Sequence, residues 1–112
     1  MNADEMKAIV ASYWRYNRQC PIVAFEANSN LDSYGDSLAD VLTITKDDQL
    51  IETEIKTSIS DFRRDYLKQK HRFLMRKDRY WPTTYFYFAV PLDIANKVSL
   101  ICDQRYPYAG VL

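Results

Sequence analysis

The sequence is poor in the residues on which several common kinds of site depend. Its 112 residues include only 2 Gly, 2 Cys and 1 His. It has no GxGxxG or Walker-type phosphate loop. Cys20 and Cys102 are too few and too far apart for a disulfide framework or a cysteine-rich zinc site, so we expect reduced thiols. The lone His71 has no evident nucleophilic partner, which gives no support to acyl-transfer chemistry.

Long hydrophobic runs are absent too. No apolar run approaches the roughly 20 residues that span a bilayer, and the N-terminal segment MNADEMKAIV has no basic region before its apolar residues. We therefore predict a soluble, cytoplasmic protein without a membrane partner. The chain length suits a single domain over 1–112, and 47% hydrophobic and 14% aromatic residues suffice for one core.

The net charge is zero, but the two signs are separated along the chain. Between Glu26 and Glu54 there are eight acidic residues and one basic residue, and between Asp61 and Arg79 there are eight Lys or Arg and three Asp. An acidic segment beside a basic one suits a cation site next to a track for a polyanion. The alternative is that the basic segment is an ordinary solvated helix surface.

Two β-strand patterns with acidic residues stand out at Leu38–Lys56. Leu38–Thr45 and Leu50–Lys56 are rich in Leu, Val, Ile and Thr, and the polar residues between them predict a turn. Alternation places Glu54 and Lys56 on one face of the second strand. In a hairpin the start of one strand lies beside the end of the next, so we expect Asp40 to approach this pair.

The rest of the pattern predicts an α/β domain in which helices pack on a mixed sheet, in the order α-β-β-β-α-β-α-β. The predicted segments are a helix from Ala3 or Asp4 to near Arg18, a strand Ile22–Ala27, the hairpin, a helix from about Ser58 to Arg76, a central strand Thr83–Val90, a short helix Ile94–Val98, a short strand Leu100–Cys102 and a docked tail or edge strand within Tyr106–Leu112.

The acidic residues and the lysine of the hairpin suggest metal-assisted hydrolysis of phosphodiesters. Asp40 and Glu54 are suitable ligands for Mg²⁺ or Mn²⁺, and the backbone carbonyl of Ile55 offers another oxygen. A metal lowers the pKa of its bound water, which then attacks phosphorus. Lys56 would orient that water or stabilise charge on the phosphate. Glu26 is a further metal-ligand candidate if it points to this face; pointing outward, it is simply solvated.

The same residues have a purely structural interpretation. In it, Glu54 and Lys56 form a surface salt bridge, and Asp40 caps the end of a strand.

Ala39-Asp40, followed after thirteen residues by Glu54-Ile55-Lys56, resembles the motif of the PD-(D/E)xK nuclease superfamily, whose restriction-endonuclease-like core is α-β-β-β-α-β. EIKTSISDFRRD (Glu54–Asp65), with YFYFAVP (Tyr85–Pro91), resembles its MmcB-like DNA repair branch. The resemblance implies that Asp40, Glu54 and the Ile55 carbonyl bind the metal and that Lys56 is catalytic. It also implies that Ser58, Asp61 and Asp65 support them.

DNA contact is expected mainly on the second helix. Its basic residues would neutralise phosphates without reading sequence. These residues are Arg63, Arg64, Lys68, Lys70 and Arg72. The main hypothesis is thus a Mg²⁺- or Mn²⁺-dependent endodeoxyribonuclease of DNA repair, recombination or a mobile element. The alternatives are a non-catalytic nucleic-acid-binding module, or an accessory subunit active as a homodimer or in a larger complex, since so small a domain does not easily wrap a duplex.

Overall fold

The computed structural model describes residues 2–28, 38–64 and 84–112, and shows an α/β arrangement with one five-stranded mixed sheet. Its elements follow the predicted order as far as the fourth strand. They are α1 (Ala3–Ser12) with a π-helical turn (Tyr13–Asn17), β1 (Ile22–Asn28), β2 (Leu38–Ile44), β3 (Leu50–Ile55), α2 (Ile59–Arg64), β4 (Tyr85–Ala89), α3 (Leu92–Arg105) and β5 (Ala109–Val111).

The sheet consists of a three-stranded antiparallel meander and two further strands that pair in parallel. The strands lie in the order β1-β2-β3-β4-β5. The first three are antiparallel neighbours, whereas β4 is parallel to β3, and β5 is parallel to β4. Parallel neighbours need a crossover, and α2 and α3 lie in these two connections. The carboxyl ends of β3 and β4 therefore lie at the same edge of the sheet.

One face of the sheet is covered by α1. The Asn2 side chain caps this helix by accepting the Glu5 N–H at 2.8 Å. Trp14 of the π-helical turn is the largest buried residue on this face, and its indole N–H donates to the Thr53 hydroxyl at 3.1 Å. Ile9 is an apolar residue of α1 that stays 54% exposed. The core on this face contains Met6, Val10, Trp14, Cys20, Val41, Ile51, Ile55 and Ala89.

The opposite face carries an aromatic core that anchors α2 and α3. Phe62 of α2 is fully buried, and its ring stands edge-on to Phe88 of β4 at 4.9 Å between centroids. Such edge-to-face pairs add to the energy of burial. The cluster is formed by Phe62, Phe86, Phe88, Val90, Val98, Cys102 and Tyr106.

The sequence prediction was wrong for the segment that follows β4. A single helix, α3, runs from Leu92 to Arg105 where a short helix Ile94–Val98 and a strand Leu100–Cys102 were predicted. Val98 and Cys102 are four residues apart, and both are buried in the aromatic core, whereas Leu100 is exposed. An apolar run of three residues is compatible with a strand or with a helix. The four-residue spacing of the buried residues is helical, which is why this segment is part of α3.

The chain end forms the predicted edge strand. β5 pairs with β4, and the Leu112 N–H extends the pairing by donating to the Phe88 carbonyl at 2.8 Å. Gly110 lies over the Tyr87 ring, where an added Cβ would approach ring carbons at 2.6 Å.

None of the helices within the described ranges is long and apolar enough to cross a membrane. Both cysteines, Cys20 and Cys102, are buried free thiols.

Candidate active site

The pairing between β2 and β3 ends before either strand does, and we call the unpaired place between these strand ends the gap. Their antiparallel pairing runs from Ile44–Leu50 only as far as Val41–Thr53. Beyond that point β2 stays paired with β1 as far as Leu38, and β3 stays paired with β4 as far as Ile55. Asp40 and Glu54 are the first residues of the two strands beyond the last pair.

Asp40 and Glu54 lie on opposite sides of this gap. Continuing the Val41–Thr53 register by one pair puts them opposite each other. The half-buried Asp40 accepts the backbone N–H of Ile55 on its Oδ2 at 2.8 Å, so its side chain bridges the two strands. The predicted approach of Asp40 to the end of the second strand is confirmed. The same hydrogen bond also gives Asp40 the strand-capping role that the structural interpretation assigns to it.

Glu54 and Lys56 are buried, with 1% and 7% of their surface exposed. They are two residues apart, and the Lys56 N–H continues the β3–β4 pairing by donating to the Ala89 carbonyl at 3.0 Å. The structural interpretation is therefore wrong in placing this pair on the surface. Burying a charged group is costly unless other groups compensate it, which marks both residues as candidates for function.

Glu52 is a buried acid that the sequence interpretation did not single out. It is fully buried, and its position two residues before Glu54 puts both carboxylates on one face of β3. The sequence signal that could have identified Glu52 is the alternation Glu52-Thr53-Glu54 within a strand pattern, which puts both acids on one face. The register places Glu52 opposite Leu42 and Phe86, inside the sheet rather than at its edge.

The donor set suits a hard divalent cation that keeps open positions. Across the described ranges, no three His, Cys, Asp or Glu side chains gather to hold a metal ion. The site offers two carboxylates and the Ile55 carbonyl. Mg²⁺ retains several waters and is commonly held by one or two carboxylates plus substrate phosphate. A carboxylate has about four lone-pair sites, so Asp40 keeps capacity for a cation after accepting one N–H.

Glu26 lies at the same edge but pairs with a helix residue. The β1–β2 register pairs Phe25 with Val41 and Ala27 with Ala39, so Glu26 is opposite Asp40. Its side chain is 65% exposed, and its carboxylate lies 2.6 Å from the Lys7 ammonium of α1. This hydrogen bond raises the pKa of Lys7; partial burial opposes the rise, and the charges of Glu26, Asp40 and Asp4 add to it.

The predicted supporting residues on α2 stabilise the helix start. Ser58 caps the helix by accepting the Asp61 N–H on its Oγ at 3.2 Å, as the Ser-x-x-Asp pattern predicts. Asp61 lies 3.6 Å from Arg64 in an ion pair. Arg63 and Arg64 are exposed. The other predicted residues of this region lie outside the described ranges; they are Asp65, Lys68, Lys70 and Arg72.

Comparison of the chain with protein-family models, with curated proteins and with solved structures finds no match.

Proposed function

We propose that this protein is a Mg²⁺- or Mn²⁺-dependent nuclease of the PD-(D/E)xK type that hydrolyses phosphodiester bonds in DNA. The observation that carries the proposal is the gap between β2 and β3. Asp40 and Glu54 lie on its two sides, and Lys56 lies two residues beyond Glu54. Two carboxylates and an ammonium at the opening of a sheet are the groups that metal-assisted phosphodiester hydrolysis requires.

Each residue has a distinct role in this proposal. Asp40, Glu54 and the Ile55 carbonyl hold the cation. When bound, such a cation stabilises negative charge on a phosphate and lowers the pKa of water. Lys56 orients the attacking water and stabilises charge on the phosphate oxygens. The water oxygen forms a bond to phosphorus, the bond to one ester oxygen breaks, and that oxygen takes up a proton.

The fold supports the proposal through its element order. The segment from α1 to β4 has the order α-β-β-β-α-β of the restriction-endonuclease-like core, with a meander followed by a parallel strand. In that proposed core, the acidic residues come from β2 and β3, as they do at the gap. We place the activity in the cytoplasm, in keeping with two buried free thiols.

DNA would approach along α2. Arg63 and Arg64 are exposed on this helix, which begins three residues after Lys56. Lys68, Lys70 and Arg72 extend the basic pattern in the sequence. Contacts of this kind neutralise phosphates and position the backbone, and we expect weak dependence on base sequence.

A non-catalytic nucleic-acid-binding module is the second candidate, because one observation favours it. The bond between Asp40 and the Ile55 N–H gives Asp40 a structural task that does not require a cation. The same holds for an accessory subunit that acts within a homodimer or a larger complex.

The proposal is tested by cleavage of linear duplex, single-stranded and branched DNA in Mg²⁺, in Mn²⁺ and in EDTA. The wild-type protein is compared with Lys56→Ala, and Lys46→Ala in the β2–β3 turn is the matched control. We expect metal-dependent cleavage that Lys56→Ala abolishes and Lys46→Ala retains. Absence of cleavage of every substrate, with salt-sensitive binding equal in all three proteins, would favour the binding module.

A further inference from the structure

Lys7 of α1 occupies a position beside the gap that the proposed mechanism does not use. Its ammonium lies 2.6 Å from Glu26, and 19% of its side chain is exposed. Glu26 is opposite Asp40 in the β1–β2 register, and Asp40 is close enough to Lys7 to raise its pKa. Lys7 therefore carries a positive charge beside Glu26 and within electrostatic reach of Asp40.

Glu26 adopts an unusual backbone conformation at this place. Its φ is +49°, in the left-handed region that residues with a side chain rarely adopt, although it lies within β1. Such strain persists where the surroundings impose it and is concentrated at functional sites. The carboxylate that results is paired with Lys7 but is 65% exposed. An ion pair with one partner this exposed is screened by solvent and contributes little to stability, so stabilisation alone is a weak reason for this geometry.

The charges around the gap indicate what the Lys7–Glu26 pair could bind. A phosphate that approaches Asp40 and Glu54 also meets the negative charge of Glu26. On the α1 side, Lys7 offers positive charge to that phosphate, while Arg63 and Arg64 lie on the α2 side. Lys7 is protonated at neutral pH, as an ordinary lysine is, and its pKa is raised further.

We infer that Lys7 binds a backbone phosphate of DNA on the α1 side of the gap, and that Glu26 holds Lys7 in place until the phosphate replaces it. This inference rests on the proposed function, since it takes the same DNA as ligand. It assigns opposite effects to the two residues. Lys7 attracts the phosphate. Glu26 competes with the phosphate for the Lys7 ammonium, and its negative charge repels the phosphate.

The test is DNA binding measured as a function of salt in EDTA, where no cleavage is needed. A labelled linear duplex is titrated with the wild-type protein, Lys7→Met and Glu26→Gln. Lys46→Met and Asp47→Asn, both in the β2–β3 turn at the other end of these strands, are the matched charge controls. Thermal unfolding of each variant checks that it is folded.

The inference predicts changes of opposite sign. Lys7→Met weakens binding at 0.1 M salt by about tenfold and reduces the salt slope by about one, as expected for one lost phosphate contact. Glu26→Gln tightens binding by about threefold, because it removes a nearby like charge. The controls stay within about twofold of the wild type on the same scale.

The inference is overturned if both variants bind like their controls, if both weaken binding, or if the duplex does not bind. The first two outcomes make the pair a structural contact between α1 and β1. The proposed nuclease fails separately, through absence of metal-dependent cleavage, so the two results are distinguishable.

Discussion

The Asp40 carboxylate accepts the Ile55 N–H at 2.8 Å across the point where β2 and β3 separate. This bond takes the place of a strand-to-strand hydrogen bond, because the ladder has already ended at Val41–Thr53. Asp40 therefore combines two tasks in our account. It satisfies a backbone group at the end of β3, and it presents a carboxylate to the gap.

The structural task of Asp40 predicts a loss of stability when the acceptor is removed. Asp40→Ala leaves the Ile55 N–H without this partner, and we expect the free energy of unfolding to fall by about 1–3 kcal/mol. Asp40→Asn retains an amide oxygen that can accept the same N–H, so its loss should be smaller. Urea unfolding of the three proteins measures the difference. Equal stabilities for Asp40→Ala and the wild type would contradict the assigned bond.

The Trp14–Thr53 hydrogen bond predicts that replacing a buried threonine by valine changes the stability differently at two positions. Thr53→Val leaves the buried Trp14 N–H unsatisfied and should cost about 1–3 kcal/mol. Thr43 is equally buried, and its hydroxyl has no hydrogen-bond partner within the described residues. Thr43→Val should therefore be neutral or stabilising. Denaturant midpoints of the two variants make the comparison, and a cost at Thr43 as large as at Thr53 would contradict it.

The buried Cys102 predicts a loss of stability in alkali. Burial raises the pKa of its thiol from 9.0 to about 11, and the charge of Asp103 acts in the same direction. Since the folded state holds the proton more tightly, the stabilisation is complete below pH 9 and is lost as pH rises towards 11. The loss for this group is about 2–3 kcal/mol. Unfolding free energies across this range should fall more steeply for the wild type than for Cys102→Ala, and parallel slopes would rule the effect out.

The elements that could be predicted from the sequence are those whose local pattern and tertiary surroundings agree. The hairpin of β2 and β3 has alternating strands and a polar turn, and Ser58 caps α2 as its spacing indicates. The strand prediction for Leu100–Cys102 was wrong, although the composition of this segment is β-like. Val98 and Cys102 lie on one face of a helix, and packing of that face into the aromatic core decides the structure. Local propensity cannot show which face a neighbouring element will cover.

The sequence proposes the residues of the candidate site, and the structure adds how the strands that carry them are arranged. The sequence places Asp40, Glu54 and Lys56 at one end of a hairpin, and the structure brings Asp40 to the end of β3. The separation of β2 from β3 was not foreseen, since strand patterns do not show where pairing stops. Lys7 was missed because its relation to Glu26 depends on how α1 packs and on a left-handed backbone at Glu26.

The most direct test of the central claim is the cleavage rate of Asp40→Asn in Mg²⁺, measured beside the wild type and the control Asp47→Asn. This substitution keeps an acceptor for the Ile55 N–H and removes the charge that a cation needs. If Asp40 binds the metal, the rate falls by at least about 100-fold, since even residues outside the ligand set commonly cost 10–100-fold. If Asp40→Asn is folded and cleaves as fast as Asp47→Asn, Asp40 is only a strand cap and the proposed metal site is wrong.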